Sequence, residues 1–276
     1  MNVIRIAAFS DGDLGGNPAG VVIEPYHPAE TEMRQIAADV GYSETVFAEP
    51  EGDAWRIRYF SPESEVPFCG HATIALGAAL AMQQGDGVFK LHLNEADITV
   101  EGKQTPVMTA ALQSPPTRSL PISESLQQEV LALFGYDQKD LDGDFPPARI
   151  HAGADHFAFC LNSREALAAL SYALDAGRRL MIREQVITIL FAWRENDHRF
   201  HTRNPFASGG VYEDPATGAA TAAFAGYLRD KNLTRVQTLE IVQGVDMGQP
   251  SRLQAEFTAE AGSSIRVSGA ARIIQS

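Results

Sequence analysis

The 276-residue chain is short of cysteine, of positive charge and of long apolar runs, and each shortage excludes something. Its two cysteines, Cys69 and Cys160, are too few for a disulfide framework. Cys160 lies in the apolar run from His156 to Leu161, which reads as a buried strand, so a reducing, cytoplasmic setting is expected. No run of about 18 apolar residues occurs, which argues against a membrane span. Residues Met1 to Asn17 carry acids where a signal peptide needs apolar length, and they read as a first strand instead. Paired cysteines and the His-Glu-x-x-His spacing are absent, so chain spacing announces no metal site. His151, His156, His198 and His201 fall at strand or hairpin positions and read as structural or surface residues. Lysine and arginine number 22 against 35 acids, a net charge of −13. That balance repels phosphate backbones and anionic lipid, so neither nucleic acid nor membrane is an expected partner. An anionic substrate would have to be held by local dipoles against this field.

What is present is globular sequence with clear punctuation. Strands are expected at Val3–Phe9, Gly20–Ile23, Thr45–Glu49 and Ala54–Phe60. Between the second and third, Pro28 marks a helix first turn, Met33, Ile36, Ala37 and Val40 share a face, and Gly41 ends it. Gly70 to Met82 is alanine-rich and apolar nearly all round, the mark of a helix buried on every side. Phe89–Leu93, Ile98–Glu101 and Val107–Leu112 alternate as an antiparallel sheet does. The paired prolines of 113–117 form the best linker. They divide a first half, 1–114, from a second, 118–262, with the last strand, 263–276, a candidate to rejoin the first. In the second half, helices are expected at Ser123–Phe134, Arg164–Leu170 and Gly218–Leu228. Strands are expected at Ala148–His151 and His156–Leu161, in a hairpin of Ile187–Trp193 with His198–Arg203, and three times more before the end.

An internal repeat locates a site. Residues 65–80 and 213–228 align without gaps, sharing Glu65/Glu213, Pro67/Pro215, Gly70/Gly218, Ala72/Ala220, Thr73/Thr221, Ala75/Ala223 and Leu80/Leu228. The offset is about half the chain, which points to duplication and a pseudo-two-fold pair of domains. In each copy a polar Glu-x-Pro loop leads to a glycine that opens a buried helix. Helix starts expose unpaired N–H groups and roughly half a positive charge, and glycine lets a ligand approach the backbone. Two such starts suit an anion. The copies differ at Cys69 and His71 against Asp214 and Thr217, which capping alone does not require.

Four motifs in order, 16–22 (GNPAGVV), 43–47 (SETVF), 65–73 (EVPFCGHAT) and 213–218 (EDPATG), resemble the PhzF-like phenazine-biosynthesis proteins, within the diaminopimelate-epimerase-like fold. The resemblance spans nearly the whole chain. It implies an α/β (α+β) protein of two similar domains, each a mostly antiparallel sheet wrapped round a central helix, with the active site between them. It further implies a homodimer, no cofactor and a small carboxylate-bearing substrate. The family's best-understood member isomerises a dihydro-hydroxyanthranilate by moving a ring proton. Its catalytic glutamate, histidine and aspartate match Glu44, His71 and Asp214. Two departures stand out: Ala219 occupies a position that usually carries a small hydroxyl, and Asp11 and Asp13 stand where relatives are more apolar.

Each role has a physical rationale. A carboxylate at a partly buried turn, as Glu44 is expected to be, has its pKa raised and can both take and return a proton; the position alone equally suits a surface or capping glutamate. His71 would orient substrate or stabilise developing negative charge. Asp214 would bind a substrate amine or hydroxyl, hold a neighbour's protonation state, or merely cap its helix. Gly70, Gly218 and Ala219 would offer backbone N–H groups to the carboxylate, with Asn17 nearby. Epimerases of this scaffold use two thiols, but the repeat pairs Cys69 with Thr217, whose hydroxyl ionises too weakly to be a base. Cys69 therefore reads as a small buried residue. The rival functions are an epimerase or racemase on the same scaffold, and a non-catalytic binding protein.

Overall fold

The computed structural model describes residues 1–94 and 96–275. Its elements run β1 (Ile4–Ala8), β2 (Asn17–Ile23), α1 (Glu30–Val40), β3 (Thr45–Glu51), β4 (Ala54–Phe60), β5 (Glu65–Val66), α2 (Gly70–Gln84), β6 (Gly87–His92), β7 (Asp97–Lys103) and β8 (Thr109–Gln113). There follow β9 (Arg118–Pro121), α3 (Glu124–Phe134), β10 (Ala148–His151), β11 (Asp155–Leu161), α4 (Arg164–Ala168), α5 (Leu174–Glu184), β12 (Thr188–Arg194) and β13 (Arg199–Phe206). Last come β14 (Val211–Asp214), α6 (Gly218–Asp230), β15 (Thr238–Gln243), β16 (Ser251–Glu256) and β17 (Arg266–Ile273). The expected final strand reached to Ser276, which lies outside the described residues. Two compact units result: Met1–Gln113 joined by the segment from Ser268 onward, and Ser114–Val267. No helix among the described residues is long and apolar enough to cross a membrane.

In the first unit eight strands close into a barrel. β1 pairs antiparallel with β2, β2 parallel with β3, and β3 antiparallel with β4. β4 runs parallel to β6, then β6, β7 and β8 form a meander, and β17 joins β8 to β1. Each parallel pair needs a crossover, supplied by α1 for β2–β3 and by α2 for β4–β6. Closure leaves no long unpaired edge. α2 lies against β1, β2, β3, β6, β7 and β8, with every residue from Gly70 to Ala81 buried. Such enclosure demands small residues at the contact. A Cβ on Gly102 of β7 would sit 2.1 Å from the Gly77 carbonyl oxygen of α2, so backbone meets backbone there.

The second unit repeats these connections. β10–β11 is antiparallel, β11–β12 parallel through α4 and α5, β12–β13 antiparallel, β13–β15 parallel through α6, and β15–β16 antiparallel. The short β14 pairs with β13 as β5 pairs with β4. α6 lies against β9, β10, β11 and β16, and a separate aromatic core of Phe134, Tyr136, Phe157, Phe159 and Phe191 fills the space under α3 to α5.

Several expectations shift. Pro28 precedes α1 rather than opening it, because Ala29 has an extended ψ of 148° and caps the helix. Gly41 ends α1 as expected, in the left-handed region with φ +71°. The Glu-x-Pro segments contain short strands, β5 and β14, and α5 and β9 were not anticipated. Gly102→Ala should lower stability by about 3 kcal/mol or more through backbone overlap, whereas Gly143→Ala, with open space around it, should stay within about 0.5 kcal/mol. Chemical denaturation of both variants checks this.

Candidate functional site

Each central helix begins at a cluster of buried polar groups. In the first unit the stop at Gly41 turns the chain into β3 within a few residues, and Glu44 is the last residue before that strand. The Glu44 carbonyl accepts the Gly20 N–H at 3.3 Å, pinning this turn to β2. A Cβ on Gly20 would meet Thr45 Oγ1 at 2.7 Å, so the approach requires glycine. The Glu44 side chain is 11% exposed, and its Oε2 lies 3.4 Å from Nε2 of His71, itself 7% exposed. The surface-glutamate alternative is thereby removed.

His71 sits in the first turn of α2 and bonds on both ring nitrogens. Nδ1 lies 3.3 Å from Cys69 Sγ, and Nε2 lies 3.4 Å from Ser43 Oγ. With the thiol donating to Nδ1, the ring proton resides on Nε2 and faces Glu44 and Ser43; the tautomer follows from the pairing. Burial lowers the His71 pKa, and the nearby Glu44 carboxylate only partly opposes it, so the imidazole is neutral near pH 7. Cys69 is buried as expected, but it is a hydrogen-bonding neighbour of His71 and not inert packing. A second chain fixes the helix start: Thr73 Oγ1 donates to the Cys69 carbonyl at 2.7 Å, and the buried Tyr59 hydroxyl bonds Thr73 Oγ1 at 2.7 Å. Asn17 is buried at the start of β2, in register with Ala8.

In the second unit, Asp214 ends β14 and is 8% exposed. Its Oδ2 accepts the Thr217 hydroxyl at 2.5 Å. Gln243, fully buried at the end of β15, accepts the Thr217 N–H at 3.1 Å and donates to Thr217 Oγ1 and to the Asp214 carbonyl at 3.0 and 2.6 Å. Thr217 is thus locked as donor and acceptor, which suits a scaffold and not a base. Gly218 is buried and Ala219 half-buried in the first turn of α6. Neither α2 nor α6 receives a hydrogen bond from its own cap side chain, and the partial positive charge of each helix start favours an anion.

The repeat glutamates serve as anchors for the segments ahead of the two helices. Glu65 takes a two-point hydrogen bond from Arg58, at 2.8 and 2.6 Å, and Glu213 takes the same from Arg203, at 3.0 and 2.5 Å. Each clip ties a short strand to its neighbour just ahead of the glycine-led helix. Arg203 Nη1 also bonds the carbonyls of Ala168, the last residue of α4, and of Leu170 just after it. Arg58, Arg203 and Gln243 escaped the sequence reading, and Ser43 entered it only as part of the 43–47 motif. The arginines lie 145 residues apart and the glutamates 148, so an ungapped alignment could not pair both.

The comparisons with known proteins now bear on these two clusters. The family model for phenazine biosynthesis-like proteins, PhzC-PhzF, matches residues 6–276. The chain belongs to this family. It is 30% identical to the trans-2,3-dihydro-3-hydroxyanthranilate isomerase of Pseudomonas aeruginosa, covering 96% of this chain and 94% of the relative. The corresponding isomerase of Pseudomonas chlororaphis is 32% identical over the same shares. A PhzF-family crystal structure from Bacillus anthracis superposes with a TM-score of 0.87, 20% identity and coverage of 99% and 96%. A probable proline racemase from Agrobacterium radiobacter shares the fold at a TM-score of 0.66 and 12% identity, over 99% of this chain and 90% of the racemase. The family is one of isomerases, and this chain is an enzyme of that class.

Two consequences are measurable. Arg203 and Glu213 are 8% and 3% exposed, so Glu213→Ala should cost about 3–5 kcal/mol by stranding a buried cation, while Glu65→Ala, at the half-exposed clip, should cost about 1 kcal/mol; urea unfolding compares them. His156 donates from Nδ1 to Thr188 Oγ1 at 2.8 Å, and burial pushes its pKa down to about 3. Below a pH of about 6.5 the unfolded chain takes up this proton and the folded chain does not, so stability falls on acidification. Between about pH 7 and about pH 5 the loss assigned to this residue is about 2 kcal/mol, and it should vanish in His156→Asn. Stability measured against pH for both proteins checks it.

Proposed function

We propose that this enzyme is a cofactor-independent isomerase that relocates a proton on a small carboxylate-bearing substrate, with Glu44 as the general acid and base. The supporting observation is a buried carboxylate 3.4 Å from a neutral imidazole, at the uncapped start of an enclosed helix. A base in such a setting meets little competing water, and the adjacent Nε2–H of His71 can stabilise charge developing on substrate. Glu44 removes a proton beside a conjugated or carboxylate-stabilised carbon and returns it to another. Gly70 in the first unit, and Gly218 and Ala219 in the second, offer N–H groups to carboxylate. Asp214, oriented by Thr217 and Gln243, receives an amine or hydroxyl. Asn17 is assigned to substrate binding as well.

An epimerase reading would require a second acid or base at Thr217, and the hydrogen bonds on that hydroxyl argue against it. The compound named for the Pseudomonas relatives, trans-2,3-dihydro-3-hydroxyanthranilate, is the first substrate to try. In deuterated water, Glu44→Gln should lower turnover and deuterium incorporation by about 10²–10⁴-fold, while Cys69→Ala keeps the isomerisation. Inversion at one stereocentre that disappears in Cys69→Ala would overturn the proposal.

A further inference from the structure

We infer that the second unit has an interior binding site for an ordered water molecule at the start of α6, between Asn204 and Thr221, where the first unit places a tyrosine hydroxyl. The repeat and the strand registers identify the corresponding residues. Val66 aligns with Asp214, and Thr73 with Thr221. Tyr59 is the register partner of Val66, and Asn204 that of Asp214, so Tyr59 and Asn204 hold one position of the common plan. In the first unit that position is satisfied: the Tyr59 hydroxyl bonds Thr73 Oγ1, which donates in turn to the Cys69 carbonyl. In the second unit Asn204 Nδ2 and Thr221 Oγ1 are both buried, and neither has a hydrogen-bond partner among the described residues.

Both side chains line the same contact. Phe200 lies on the Asn204 face of β13 and meets Phe224 of α6 edge-on at 5.3 Å, and Thr221 is one turn before Phe224. Thr202, on that face of β13 between Phe200 and Asn204, carries another buried hydroxyl without a partner among the described residues. The Asn204 amide is not free to turn. Its Oδ1 accepts Thr188 Oγ1 at 3.3 Å, and Thr188 is held by His156 Nδ1 at 2.8 Å. An asparagine amide reaches about 3 Å less far from its backbone than a tyrosine hydroxyl does, and that shortfall is one hydrogen-bond length. A water accepting from Asn204 Nδ2 and donating to Thr221 Oγ1 makes up the difference. Left dry, each of these atoms would cost about tenfold in the folding equilibrium, which is why interior water settles where polar groups converge.

No substrate is needed for the test, so a negative result leaves the isomerase reading standing. In an atomic-resolution crystal structure of the full-length protein, one water peak is expected within about 3.2 Å of both Asn204 Nδ2 and Thr221 Oγ1. In Asn204→Tyr that peak should vanish, and the introduced hydroxyl should bond Thr221 Oγ1; the unmodified protein decides alone if this variant does not fold. Urea unfolding then compares Thr73→Val with Thr221→Val. The first loses two protein partners, and its unfolding equilibrium constant should rise about thirtyfold. The second exchanges a water-bonded hydroxyl for a methyl and should stay within about threefold. A direct Asn204–Thr221 bond, no density between the two, or a peak with the anomalous signal of an ion would overturn the inference. So would a Thr221→Val protein stabilised about tenfold or more, the mark of a hydroxyl that was dry.

Discussion

A helix with no polar face must be enclosed, and that constraint organises the first unit. From Gly70 to Ala81 every side of α2 is buried, so the strands around it have to close, and their inner faces must approach closely enough to leave no void. The Gly77–Gly102 contact is where this approach reaches its limit. Enclosure has a second effect. The polar atoms at the helix start have few partners available, and those partners come from the surrounding strands and their entrances. Cys69, His71 and Thr73 therefore meet Ser43, Glu44 and Tyr59, residues distant in the chain.

The two units share this plan and differ in what their helix starts carry. Both keep the Arg–Glu clip, the short strand it holds, the glycine at the first helical position and the parallel crossover through the central helix. Where α2 opens on a thiol and an imidazole, the aligned positions of α6 are Thr217 and Ala219. Acidity in the second unit comes instead from Asp214, at the position aligned with Val66, and its geometry is set by Gln243. The two helix starts thus share one plan, with a thiol and an imidazole at the first and an Asp214–Thr217–Gln243 hydrogen-bonded set at the second.

Solvent exclusion sets the protonation states. His71 and His156 are both buried, and in both the loss of hydration outweighs nearby negative charge, so each imidazole stays neutral. Their partners differ: a carboxylate and a thiol for His71, a threonine hydroxyl for His156.

Periodicity and punctuation in the chain determined most of the strands, the all-apolar character of α2, the stop at Gly41 and the duplicated helix starts, because each depends on neighbours within a turn or a strand. Four short motifs in order determined the family. The Arg–Glu spacing, seven residues in one half and ten in the other, concealed the clips, and β5 and β9 are too short to carry a pattern. Whether Glu44 was surface or buried, whether Cys69 was inert or bonded to His71, and what Gln243 does were decided only by tertiary structure. The physical reason is that a side chain's partners, hydration and pKa depend on which strands surround it, and barrel closure joins residues that local sequence keeps apart.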